Sequence, residues 1–174
     1  MKKYIFLSLI IFIVLGTKAQ RGGHFIFGTT IGTGIALSTP ESTPFTWSLL
    51  GYYSIGRRFS AGIGTGLSFY EKTLIPLFIT AKFTLLPPRK FTPYLECGAG
   101  YSFAPDPNAN GGFYLNPSVG LQYTLRENKK IFLALGYELQ KLERLKNYEN
   151  SLFRAEFAEK LRHHSISIKV GFLF

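Results

Sequence analysis

The sequence predicts an all-β protein, an eight-stranded antiparallel up-and-down transmembrane β-barrel. Three observations carry that expectation. Beyond residue 20, side chains alternate with a period of two in eight successive segments, and helical periodicity is almost absent before residue 139. One of the two faces so defined is bulky and apolar and the other small and polar, the reverse of what a water-soluble barrel needs. The chain also closes on an unbroken alternating run that finishes Phe172-Leu173-Phe174.

The opening segment stands outside this pattern. Lys2 and Lys3 form a positive start, Tyr4 to Leu15 an apolar run, and Gly16-Thr17-Lys18-Ala19 an exit with small residues. The run is too short to span a bilayer comfortably, and Thr17 and Ala19 suit a signal peptidase pocket. Residues 1–19 are therefore expected to be an export peptide cut before Gln20, with an uncleaved anchor as the alternative. Residues 20–174 then form one barrel domain. Loss of Lys2, Lys3 and Lys18 takes the formal charge from +10 to +7. An exported cation of this kind is expected to meet phosphate-bearing membrane lipid, lipopolysaccharide included, rather than nucleic acid. Cys97 is the single cysteine, so no intrachain disulfide can form. Stability must come from elsewhere, and a closed barrel in lipid supplies it.

The first segment, Gly23 to Leu37, sets Phe25, Phe27, Ile31 and Ile35 against Gly28, Gly32, Gly34 and Ala36. The second opposes Phe45, Trp47, Leu49 and Tyr53 to Thr46, Ser48, Leu50 and Tyr52. In the third, Phe59, Ile63, Leu67 and Phe69 face away from Ser60, Gly62, Gly64 and Gly66. The fourth places Ile75, Leu77, Ile79 and Phe83 opposite Pro76, Phe78, Thr80 and Lys82. The fifth sets Leu95, Cys97, Ala99, Tyr101 and Phe103 against Tyr94, Glu96, Gly98, Gly100 and Ser102. In the sixth, Phe113, Leu115, Val119, Leu121 and Tyr123 oppose Tyr114, Asn116, Ser118, Gly120 and Gln122. The seventh opposes Ile131, Leu133, Leu135 and Tyr137 to Phe132, Ala134, Gly136 and Glu138. The last sets His164, Ile166, Ile168, Val170, Phe172 and Phe174 against Ser165, Ser167, Lys169, Gly171 and Leu173. A soluble sheet alternates too, but no wetted surface can be built from the first faces and no oily core from the second. With the bulky face in lipid, both make sense.

The connections fall into two classes. Short ones lie at Gly56-Arg57-Arg58, Pro87 to Lys90 and Arg126 to Lys130, and more varied ones at Ser38–Pro44, Glu71–Leu74, Ala104–Gly112 and Lys141–Arg162. An even strand count with both chain ends in the periplasm puts the short class inside and the varied class at the cell surface.

The terminal run His164 to Phe174 resembles the β-signal of outer-membrane barrels, with Phe172 and Phe174 as its aromatic mark. Together with Pro93-Tyr94-Leu95-Glu96-Cys97-Gly98-Ala99-Gly100-Tyr101, it makes the chain resemble the small outer-membrane β-barrel domain family, akin to OmpX/OmpA-type barrels. That resemblance implies the fold, an outer-membrane, Gram-negative address and assembly by the barrel-assembly machinery. It implies no single activity.

An eight-stranded barrel is just wide enough to be filled by its own side chains. The inward phase carries Lys82, Glu96, Asn116, Gln122, Glu138 and Lys169, beside Tyr52, Tyr70 and Tyr94, and Arg58, in the turn before the third segment, could join Lys82 or Lys169 in partnering Glu96 and Glu138. Buried charge must be paired, so a satisfied structural network is expected, with a narrow porin-like channel or small-ligand site as the functional alternative. His163-His164-Ser165 offers His163 and Ser165 two apart on a strand, which resembles the His and Ser of outer-membrane lipid A deacylases. Ile166 replaces the Asn that usually follows that Ser, and no carboxylate is placed to orient His163, so catalysis is not expected.

Within 141–162, basic Lys141, Arg144, Lys146, Arg154, Lys160 and Arg162 mix with four glutamates. Leu152, Phe153, Ala155, Phe157, Ala158 and Leu161 allow a short helix; a hairpin extension above the membrane is the other reading. No metal-ligand spacing and no glycine-rich phosphate loop is present, so no metal or cofactor is expected. The function expected is that of a non-enzymatic barrel serving envelope structure or surface interaction.

Overall fold

Every segment that alternates in sequence is a strand in the computed structural model, which describes residues 25–38, 43–87, 89–106, 109–126, 129–150 and 153–174. The expected export peptide and its cut lie outside the described residues. The strands are β1 (Phe25–Ala36), β2 (Phe45–Ser54), β3 (Phe59–Phe69), β4 (Thr73–Thr84), β5 (Phe91–Phe103), β6 (Gly112–Arg126), β7 (Lys129–Asn150) and β8 (Phe153–Leu173). Each pairs antiparallel with the next, and β8 pairs with β1, so the sheet closes without an edge. A two-residue bridge, Ala109–Asn110, lies against Arg144 and Glu143 of β7.

The register fixes the shape of the barrel. From Phe27, partners run through Gly51, Ile63, Ile79, Ala99, Leu115, Leu139 and His164. The circuit returns at Leu37, whose amide donates to the His164 carbonyl at 2.7 Å, ten residues beyond the start. A stagger of ten over eight strands, with a rise of about 3.3 Å and a spacing of about 4.8 Å, gives a tilt of about 40° and a backbone radius of about 8 Å.

The bulky face points out. Phe25, Ile63, Leu121 and Ile168 are 51%, 58%, 46% and 44% exposed. Aromatic side chains gather on this face at both ends of the wall. Toward the short turns stand Phe25, Tyr53, Phe59, Phe83, Phe91, Tyr123, Phe172 and Phe174. Toward the long loops stand Phe45, Trp47, Phe69, Tyr101, Phe103, Phe113 and Tyr137. Aliphatic residues fill the band between them, Ile63, Leu77, Ile79, Leu133 and Val170 among them. From Phe59 to Phe69, ten steps of about 3.3 Å tilted by about 40° climb roughly 25 Å, the height of a bilayer-facing apolar band. Trp47 keeps its indole N–H satisfied on this surface by donating to Thr29 Oγ1 at 3.0 Å.

The stretch 141–162, which forms the end of β7 and the start of β8, departs from one expectation over its described residues. It is not helical: the ladder continues to Asn150 paired with Phe153. The register explains why, since it sets Glu143 opposite Lys160 and Arg144 opposite Glu159, pairs of opposite sign that stabilise adjacent strands. Arg144 also reaches Glu71 at 2.7 Å and Glu159 at 2.8 Å, tying the β3–β4 turn to the hairpin.

Candidate functional site

The small inner face exists to hold large rings. At a radius of about 8 Å, an inward Phe or Tyr has room only where the wall facing it has no side chain. A Cβ placed on Gly64 would lie 2.3 Å from Phe78 Cζ, one on Gly120 2.4 Å from Tyr94 Cζ, and one on Gly171 2.3 Å from Phe132 Cζ. Seated in these sockets, Phe78, Tyr94 and Phe132 join Leu50, Tyr52 and Tyr114 in a buried cluster across the lumen. Phe78 packs on Tyr114 at 5.2 Å between ring centroids, and Tyr94 meets Phe132 edge-on at 6.1 Å.

Polar groups lie on either side of that cluster. Toward the short turns, Lys82 donates to Gln122 Oε1 at 3.0 Å, and its ammonium stands 3.9 Å from the centre of the Tyr94 ring. Phe132 and Tyr52 complete an aromatic box around it at 5.2 and 5.5 Å. Glu96 is the register neighbour of Lys82, but two hydroxyls hold it: Tyr52 at 2.8 Å and Thr80 at 3.1 Å.

Toward the long loops, Glu138 is fully buried and takes Lys169 Nζ at 2.9 Å. Tyr70 donates to Glu138 Oε1 at 2.6 Å, and Asn116 and Tyr114 donate to Oε2 at 3.3 and 3.5 Å. Asn116 also reaches Ser167 at 3.3 Å. Beyond this layer, Ser102 donates to Gln140 at 2.6 Å, and Leu74, Leu142 and Leu161 form an apolar plug. The void among Phe78, Tyr94, Tyr114 and Lys169 measures about 30 Å³, room for a water or two.

The six inward polar residues read from the sequence therefore line the lumen in two clusters. Arg58 reaches the same space from its mouth, where it lines a cavity of about 130 Å³ with Tyr52, Lys82 and Gln122. It stands exposed in the β2–β3 turn, where its carbonyl accepts from the Thr84 amide at 2.8 Å. Sequence reading placed Tyr114, Phe78, Phe132 and Gln140 on the inward face but did not name them as part of the lumen site. Their signal was a large side chain in a phase otherwise made of Gly, Ser and Thr.

His163 and Ser165 face the lumen and are buried. His163 Nε2 and Ser165 Oγ make no hydrogen bond, so the contact between base and nucleophile that acyl transfer needs is not formed. His163 instead stacks on Tyr70 at 5.1 Å. The histidine on the outer wall is His164, hydrogen-bonded to the Tyr137 hydroxyl. At the chain end, the Phe174 amide donates to the Phe27 carbonyl at 2.8 Å and the Phe27 amide returns the bond at 2.9 Å. Phe172 and Phe174 stack at 6.1 Å.

A closed eight-stranded wall, apolar outside and filled inside, defines the inside-out class of small β-barrels. Solved structures of that class superpose on the chain. The outer membrane protein OprG from Pseudomonas aeruginosa matches with a TM-score of 0.61 at 12% identity, over 87% of this chain and 94% of that one. Neisserial surface protein A matches with a TM-score of 0.54 at 14% identity, over 87% and 98%. The outer membrane enzyme PagL matches with a TM-score of 0.51 at 9% identity, over 83% and 97%. The fold is thus that of small eight-stranded outer-membrane barrels. No protein-family model matches the chain, and no curated protein matches it.

Proposed function

We propose that the protein is a non-enzymatic outer-membrane β-barrel of a Gram-negative envelope that acts through the surface at its long-loop end. The apolar band, roughly 25 Å tall between two aromatic rims, carries this reading, because such a surface is stable only in hydrocarbon. The short turns then face the periplasm and the hairpin of β7 and β8 faces outward. Residues 1–19 direct export and are removed before Gln20, and the barrel-assembly machinery reads Phe172 and Phe174 as β8 closes on β1. The lumen supports a structural or adhesive role over conduction, since the ring cluster across its middle leaves a void of only about 30 Å³ and closes off the cavity of about 130 Å³ at the short-turn end. Envelope fractionation with heat-modifiable gel migration tests the reading: a folded band in the outer-membrane fraction is expected, and a soluble periplasmic protein would refute it. Silent planar bilayers are expected as well, and discrete single-channel steps would restore the channel.

A lipid-modifying enzyme is the second reading, because PagL, an outer membrane enzyme, shares the fold. The inward placement of His163 and Ser165 weighs against it, since lipid arrives from the other side of the wall. Lipid A from cells carrying His163→Ala or Ser165→Ala is expected to give an unchanged mass spectrum relative to the parent and to a deletion strain.

A further inference from the structure

A cleft of about 680 Å³ opens on the outer wall at the long-loop end, between the segment leading into β6 and the hairpin of β7 and β8. Its floor is made of Tyr101, Phe103 and Phe113, rings of the long-loop aromatic rim. The Tyr101 hydroxyl donates to the Gly111 carbonyl at 3.1 Å, which holds the segment before β6 against the wall. Lys141 and Arg162 rise above the rings, directly opposite each other in the ladder and both exposed. Lys160 joins them, partnered by Glu143 at 3.6 Å.

Two cations facing each other across adjacent strands repel. Among the described residues, neither Lys141 nor Arg162 has a carboxylate within ion-pair distance, unlike Lys72, Arg144, Lys160 and Lys169. The pair stands a few residues past Tyr137 along β7 and just before His164 along β8. Lys141 Nζ lies 5.8 Å from the centre of the Phe113 ring, so the pair stands at the upper edge of the aromatic rim and just beyond it. Headgroup phosphates occupy that depth, since the interfacial layer adds about 5–7 Å to each side of the hydrocarbon. Cations above, aromatic rings below and hydrocarbon continuous with both match an anionic amphiphile.

We propose that this cleft binds the phosphate of a lipid from the surrounding outer leaflet, with Lys141 and Arg162 gripping the phosphate and an acyl chain lying along Tyr101, Phe103 and Phe113. Lys160, already held by Glu143, serves as a secondary contact. The proposal rests on the membrane reading above and deepens it by naming the ligand class and the residues. A volume of about 680 Å³ is in the usual range for a bound small molecule.

The test uses the full chain, folded in neutral detergent micelles and titrated with bisphosphorylated lipid A, dephosphorylated lipid A or inorganic phosphate. Native mass spectrometry counts the lipids retained. One phosphorylated lipid is expected per barrel, bound at least tenfold more tightly than its dephosphorylated form. Lys141→Gln with Arg162→Gln is expected to weaken it about thirtyfold, the loss of two cation–phosphate contacts. Lys141→Arg with Arg162→Lys keeps the binding, and Lys129→Gln at the opposite end leaves it unchanged. Heat-modifiable migration identical to the parent shows that each variant is folded. Equal retention of both lipids by a folded barrel overturns the site while leaving the membrane reading standing. Displacement of the lipid by equimolar inorganic phosphate also overturns it and assigns a free-anion site. A parent chain that stays soluble and takes up no lipid or detergent overturns the membrane reading and the site together.

Discussion

Replacing Lys169 with Met tests whether the lumen is held by a charge lock. Lys169 Nζ lies 2.9 Å from Glu138 Oε2, and Glu138 has no exposed surface. At that separation two unit charges attract by about 6 kcal/mol at an effective dielectric near 20. Desolvation of both ions offsets much of this attraction, so the pair itself contributes little net stability. Removing one partner is different, because the remaining carboxylate stays buried while its counter-ion is gone. Tyr70, Tyr114 and Asn116 still donate to it and bear part of the charge. The expected loss is about 3–5 kcal/mol for Lys169→Met. The double variant Glu138→Gln with Lys169→Met removes both charges and keeps an amide acceptor for Tyr70, so it should cost less than Lys169→Met alone. Urea titration of the chain folded into short-chain phosphatidylcholine vesicles measures both. Gel migration without boiling reports the folded fraction, and emission from Trp47, the single tryptophan, reports the outer wall. A loss under about 1 kcal/mol for Lys169→Met, or a double variant equal to the sum of the singles, would refute the lock.

Three further outcomes follow from the same structure. Gly64→Ala drives a Cβ against Phe78 Cζ and Leu50 Cδ2 and should cost about 1–3 kcal/mol in the vesicle titration. Adding Phe78→Leu should return part of that loss, and an unchanged midpoint for Gly64→Ala would show that the socket is not tight. Ile79→Lys puts a charge in the middle of the apolar band, where Ile79 is 69% exposed, and should cost about 2–4 kcal/mol. Leu85→Lys near the short turns should cost no more than about 1 kcal/mol, and equal costs at both depths would contradict a hydrocarbon surround. Phe174→Ala removes the stacked contact with Phe172, worth about 1 kcal/mol at equilibrium. Pulse-labelled cells should nevertheless show a severalfold fall in folded barrel, and normal assembly would remove the β-signal role.

The orientation of each strand was legible in the sequence because it is a local property. Phe25, Ile63, Leu121 and Ile168 each sit in a period-two run whose two faces face different solvents, and one residue's identity is enough to choose between them. The closing of β8 on β1 was legible for the same reason, in the unbroken alternation from His164 to Phe174. Which inward groups meet was not legible, because that depends on a stagger accumulated around the whole barrel. Glu138 on β7 is met by Tyr70, which follows β3, and by Lys169 on β8. Lys82 turns to Gln122 and the Tyr94 ring although Glu96 is its register neighbour. The segment from Lys141 to Arg162 shows the same limit. Its mixed charges suit either a helix or a hairpin until the register sets Glu143 beside Lys160 and Arg144 beside Glu159.

The ladder joining β7 to β8 runs without a register break from Lys130 opposite Leu173, at the short-turn end, to Asn150 opposite Phe153. The part past Lys141 is therefore a two-stranded mast that inherits the oblique lean of the staves, rising roughly 23 Å at about 3.3 Å per residue and about 40° of tilt. A load at its far end is carried along the ladder to β8, the stave that seals the cylinder against β1. The Glu138–Lys169 lock bridges β7 and β8, the two staves that carry the mast, so an object pulling on the mast would load that ion pair as well as the seam between β8 and β1.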